Sequence, residues 1–179
     1  MGQYYLAIIL GEKQPDGDNE IIRMALESYA YNNGAKLREH SYVGNEYVSA
    51  VEYLISPEGM FYKSRLVWAG DYADNEKSLP HNLYHVIDEI DPHKLQVMPV
   101  GDVSKYRFIV NHTKKQYAEK ITHYHPLPLL TCEGNGRGGG DYTGQNKELC
   151  GSWARDVLSV EVNPPNDYAE IKCGFQDLD

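Results

Sequence analysis

Between Glu133 and Tyr142 the chain runs Gly134-Asn135-Gly136-Arg137-Gly138-Gly139-Gly140-Asp141, with five glycines in the seven residues 134–140. Glycine has no side chain to bury and loses the most backbone entropy on folding. Hydrophobic packing therefore does not account for the run. A chain that orders such a segment needs positive φ angles or a close backbone approach to another group. Successive backbone N–H groups held that way form an anion-binding concavity, and Arg137 adds a forked, permanent charge. The competing reading is a solvent-exposed hairpin loop.

The run contains G-x-G-x-x-G, from Gly134 through Gly136 to Gly139. A dinucleotide fingerprint also requires a helix that begins inside the motif. Here Asp141-Tyr142-Thr143-Gly144 follows, which is turn chemistry, and no Gly-Lys-Ser/Thr closes a P-loop. What remains is a non-standard loop for a small phosphorylated ligand, a nucleotide above all. In it Gly136, Gly138 and Gly139 supply backbone donors, Arg137 neutralises phosphate, Asp141 lies alongside and Tyr142 stacks on a base.

A length of 179 residues suits a single domain over 1–179 with a hydrophobic core of its own. No apolar run approaches the roughly 18 residues of a membrane span, so no membrane partner is expected. The start, Met1 to Leu10, shows no basic n-region, and Leu6 stands where a myristoylation signal wants Ser or Thr. The odd set Cys132, Cys150 and Cys173 suits a reducing compartment, and the expected location is cytoplasmic. A net charge of −9 argues against a nucleic-acid partner. Fifteen tyrosines stand against three phenylalanines and two tryptophans. That excess points to half-wet surfaces such as a homo-oligomer interface or a stacking pocket, although tyrosine also suits exposed strands.

The pattern along the chain predicts an α+β fold with a mostly antiparallel sheet and two or three helices. Strands are expected over 3–10, 65–69, 106–111, 116–119, 153–162 and 168–173. Helices are expected over 21–31, 44–55 (capped by Asn45 and ended by Pro57) and 82–90. Residues 35–41 read as extended. His112-Thr113-Lys114-Lys115 reads as the turn of a hairpin.

Further candidate ligand contacts come from strand ends. Asp71 and Asp74 follow a predicted strand, with Trp68 and Tyr72 nearby, and carboxylates there can hold a divalent cation, accept ribose hydroxyls, or act as turn formers and helix caps. His123 and His125, two apart, face one side of an extended segment. That geometry permits a metal chelate, a phosphate contact or acid–base work, but no third ligand can be assigned, so no metal and no cofactor are expected. An enzymatic alternative is a metal-assisted phosphodiesterase or hydrolase using His123 and His125 with Asp71 or Asp141. A protein-interaction module using the tyrosines is a third. Trp68-Ala69-Gly70-Asp71 and Trp153-Ala154-Arg155-Asp156 share Trp-Ala-x-Asp, and in the second copy Arg155 can pair with its neighbour Asp156.

Met1-Gly2-Gln3-Tyr4-Tyr5, Trp68-Ala69-Gly70-Asp71-Tyr72-Ala73-Asp74, Asn111-His112-Thr113-Lys114-Lys115 and Gly134–Tyr142 together resemble a group of small uncharacterised proteins of bacterial and bacteriophage genomes. The resemblance implies a protein of a bacterial cell or a phage-infected host. It carries no activity and no catalytic residues. A phage origin suggests anti-defence action, with the protein acting as a sponge for a nucleotide immune signal.

Overall fold

Tyr5-Leu6-Ala7-Ile8-Ile9-Leu10 is apolar at every position, and successive side chains of a strand point to opposite faces. Such a strand is stable only if both of its faces are covered. In the computed structural model of the chain, which describes residues 2–17, 19–121, 125–131 and 144–175, this segment is β1 (Tyr5–Leu10), buried throughout. Its neighbours are β2 (Ile22–Leu26) and β3 (Ser64–Gly70), both antiparallel to it. The sheet continues through β4 (Phe108–Asn111), β5 (Gln116–Glu119), β6 (Val157–Glu161) and β7 (Ala169–Glu170). The strand order is β2-β1-β3-β6-β4-β5-β7, and every pairing is antiparallel except β5 with β7. The fold is α+β.

One face carries Tyr5, Ala7, Ile9, Leu66 and Trp68, packed with Tyr47, Val48 and Val51 of helix α2 (Glu46–Leu54, after a short α1 at Leu37–His40). The 3₁₀ turn Leu127–Leu130 joins that core. The other face carries Leu6, Ile8, Leu10, Val67 and Ala69. It is covered by Leu83 of α3 (Leu83–His85) and by Val86 and Ile87 of the π-helical turn that continues it.

Buried tyrosines serve as struts, which explains part of the preference over phenylalanine. The Tyr47 hydroxyl accepts from the Ala7 N–H at 2.8 Å and donates to the Leu26 carbonyl at 3.0 Å, joining β1 and β2 to α2. Burial pushes its phenol pKa far up, so the hydroxyl stays a neutral donor and acceptor. Tyr31 likewise bonds both the N–H and the carbonyl of Met98.

Several elements differ from the pattern-based expectation. Residues 21–31 form β2 and then a 3₁₀ turn, Ser28–Tyr31, instead of a helix, because β1 offers a free edge. Residues 35–41 include the single helical turn α1 instead of an extended segment. The expected strand 153–162 begins only at Val157, since Arg155 has φ +70° and cannot lie in a strand. Helix α2 starts as expected: the Asn45 side chain accepts from the Val48 N–H at 3.1 Å. Asn45 also donates to the Asn33 side chain at 2.7 Å. Asn45→Ala is expected to lower stability by about 1 kcal/mol, the usual worth of an N-cap, measurable by urea unfolding.

Candidate functional site: an ionic cleft

Where β1 ends and β3 and β6 begin, the sheet opens into a cleft of about 920 Å³. That volume lies within the range of about 300–1,000 Å³ typical of small-molecule sites. Its walls are the loop after β1, the start of β3, residues 74–77 and the turn before β6. Six cationic side chains line it, Lys13, Arg23, Lys63, Arg65, Lys77 and Arg155, against five acidic ones. In a chain of net charge −9 this is a local concentration of positive charge.

Three of these cations are delivered by backbone irregularities. The register of β1 with β2 steps from Ile9↔Met24 to Leu10↔Ile22, so Arg23 is the extra residue of a β-bulge. Lys63 and Arg155 adopt the left-handed conformation, with φ +57° and +70°. Bulges re-aim side chains, and left-handed non-glycine residues cost of order 1 kcal/mol or more unless their surroundings hold them. Arg155 is held by backbone: its N–H donates to the Leu66 carbonyl at 2.9 Å and its carbonyl accepts from Arg65 Nε at 2.8 Å.

The two arginines sit in a chain of carboxylates. Arg65 forks onto Glu20 at 2.6 and 2.9 Å, and Arg155 forks onto Glu76 at 3.0 and 2.6 Å. Arg155 also stands 3.5 Å from Glu20. Burial pushes the Glu20 carboxyl pKa up, but its bonds to Arg65 and the charges of Arg65 and Arg155 outweigh this, leaving it below the ordinary value. By contrast Lys13, Lys63 and Lys77 form no ion pair with a described residue. Lys63 Nζ lies 5.1 Å from the Tyr62 ring centroid, and the Arg23 guanidinium 5.7 Å from that of Phe61.

Of the residues singled out by sequence, Asp74 lines this cleft and is exposed. Gly136, Arg137, Gly138, Gly139, Asp141, Tyr142 and His123 lie outside the described residues. Asp71 tethers the chain start: its carboxylate accepts from the Tyr4 N–H at 2.9 Å, and its own N–H donates to the Tyr4 carbonyl at 3.0 Å. Tyr72, next to it, is exposed. Trp68 is buried in the core between sheet and α2, where its indole N–H donates to His40 Nε2 at 3.0 Å. Arg155 pairs with Glu76 and Glu20. Its neighbour Asp156 instead binds Lys114 and accepts from Asn111 at 2.8 Å.

His125 is buried too, and it belongs to a cluster that sequence spacing did not suggest. Its Nε2 donates to Glu52 Oε1 at 2.6 Å, while Lys120 binds the other carboxylate oxygen. The three side chains are only 1%, 6% and 5% exposed for His125, Glu52 and Lys120. Burial raises the Glu52 pKa, but His125 and Lys120 outweigh it and hold the group ionised. Glu52 falls on the apolar face of an amphipathic helix, which is the one signal that could have marked it. Nothing in Lys120 or His125 announces the pairing, which joins segments about 70 residues apart. Cys150 and Cys173 are buried as small hydrophobes, and burial drives both thiols up to about 12, out of reach of thiolate chemistry at neutral pH. Cys132 lies outside the described residues. Among the described residues, His85, Asp88 and Glu89 bring three possible ligand atoms within 4.8 Å of one another. Asp88 and Glu89 are exposed, and such groups commonly cluster without a metal.

No described helix is long and apolar enough to cross a membrane. Comparisons with models of known protein families, with curated proteins and with solved structures return no match.

Proposed function

We propose that the ionic cleft binds a small phosphorylated ligand, a nucleotide, and holds it without turning it over. The observation that carries this reading is the delivery of Arg23, Lys63 and Arg155 to one cleft by a bulge and two left-handed residues. Two left-handed residues and a bulge that converge on one cavity support a built site. Lys13, Lys63 and Lys77 supply phosphate contacts, the Phe61 ring a surface for a base, and Asp74 an acceptor for sugar hydroxyls. The hydrolase alternative uses His123 and His125 with Asp71 or Asp141; His125 is buried against Glu52 and is not part of the cleft lining, and His123 and Asp141 lie outside the described residues. The resemblance to proteins of bacteria and their viruses fits sequestration of a nucleotide signal as the outcome.

The test is calorimetric titration with ADP. The double variant Lys63→Ala/Lys77→Ala is expected to weaken binding about tenfold, equivalent to about 1.4 kcal/mol. Its melting temperature should barely move, because both side chains are exposed and carry no ion pair to a described residue. An unchanged affinity in the double variant, or no ADP binding by the native chain, removes the cleft from consideration.

A further inference from the structure

The two forks in the cleft are already filled by the protein's own carboxylates. Arg65 and Arg155 lie on either side of Glu20, at 2.6 and 3.5 Å, and Glu76 closes the far side of Arg155. The four side chains form one unbroken line, Arg65–Glu20–Arg155–Glu76, along the cleft wall. A carboxylate in a guanidinium fork and a phosphoryl group in the same fork use the same planar pair of donors. The arginines come from fixed positions, Arg65 from β3 and Arg155 from the turn bonded to it. The acids come from connecting segments, Glu20 just before β2 and Glu76 between β3 and α3.

We infer, resting on the cleft reading above, that Glu76 is an internal competitor for Arg155, and that the ligand is one whose two adjacent phosphoryl groups displace it. The geometry favours a diphosphate over a single phosphate. Displacing Glu76 opens the fork of Arg155 alone, since Glu20 stays on Arg65, and an adjacent phosphoryl group of the same ligand is met by Lys63 and Lys77 of the same lining, which form no ion pair with a described residue. Displacement leaves the Glu76 carboxylate to solvent and gives Arg155 an acceptor of higher charge. Because no covalent bond changes, the exchange is reversible. Affinity is therefore set by the difference between two pairings and not by the strength of one.

The experiment is titration calorimetry with inorganic pyrophosphate, ADP and orthophosphate on the native chain and three variants. Glu76→Gln weakens the competitor and is expected to tighten pyrophosphate binding about five- to tenfold. Glu12→Gln removes the same charge from the cleft rim without releasing an arginine, and should change affinity less than about twofold. Pyrophosphate should bind more tightly than orthophosphate. ADP tighter than pyrophosphate identifies a nucleotide, and equal affinities identify the diphosphate alone as the determinant. If Glu76→Gln does not fold, Arg155→Lys carries the test: it keeps the charge, loses the fork, and should weaken pyrophosphate binding about tenfold. Native binding of ADP with no gain in Glu76→Gln, or the same gain in Glu12→Gln, overturns the competitor and leaves the cleft reading intact. No binding of ADP by the native chain overturns both.

Discussion

Glu52→Gln is expected to lower the folding free energy by about 3–5 kcal/mol, the usual consequence of removing one partner from a buried ion pair. The carboxylate is the shared acceptor of Lys120 and His125, and all three side chains are almost wholly withdrawn from water. With Glu52 neutral, the Lys120 ammonium is left buried without a counter-charge. Replacing the three together with apolar residues of similar size, Glu52→Leu, Lys120→Met and His125→Phe, should recover most of the loss, because no unpaired group then remains. Chemical denaturation of the single and triple variants makes the comparison. A single variant that loses less than about 1 kcal/mol would show that the cluster does not organise this part of the core.

A second large effect concerns acid. His40 is fully buried, and burial lowers its pKa from 6.5 to about 4, against a partial upward pull from the Gly34 carbonyl. Its tautomer follows from its partners. The Trp68 indole only donates, so Nε2 is the acceptor, and Nδ1–H donates to the Gly34 carbonyl at 3.0 Å. Protonation would set two N–H groups against each other at Trp68. The unfolded chain binds this proton near pH 6.5 and the folded chain only near pH 4. Stability is therefore full above pH 6.5 and falls progressively as the pH drops toward 4. Between pH 7.5 and 5 the loss from His40 is about 2 kcal/mol. His112, also lowered by burial and by Lys63, adds to the loss with the same sign. Glu52 and Glu20 have depressed carboxyl pKa values, so their contribution is lost only below about pH 4.5 and does not confuse this window. His40→Gln can keep both hydrogen bonds without titrating. Urea unfolding of that variant at pH 7.5 and 5 should show a clearly smaller difference than the native chain, and an equal difference would reassign the effect to another group.

The parts of the fold that are legible in the sequence are those where local pattern and tertiary setting agree. β1 is apolar at all six positions, β3 ends in Trp68-Ala69-Gly70, and α2 has both its 3–4 spacing and its Asn45 cap. β2 is not legible, because Asn32-Asn33-Gly34 mimics a helix stop and only the open edge of β1 decides for a strand. The cleft is hidden for a related reason. Nothing in Tyr62-Lys63-Ser64 or Ala154-Arg155-Asp156 encodes a left-handed backbone, since long side chains enter that region only when surrounding structure imposes it. Asp74 could be picked out because a carboxylate after a strand is a local cue. The partners of Arg155 could not, as Glu76 and Glu20 reach it from distant segments.

The place of β6 in the sheet bears on how the chain is made. Residues 5–70 can assemble β2, β1 and β3, and residues 108–119 can close their own hairpin, but the two pieces share no strand until Val157–Glu161 enters between β3 and β4. During synthesis, the edge of β3 is bridged at Trp68 by Thr131, while its start, Ser64 and Arg65, stays without a partner strand until Val157 and Leu158 arrive. Such an edge is a template for pairing with another nascent chain. A chain ending before Val157 would thus leave β4 and the start of β3 without the strand that joins them.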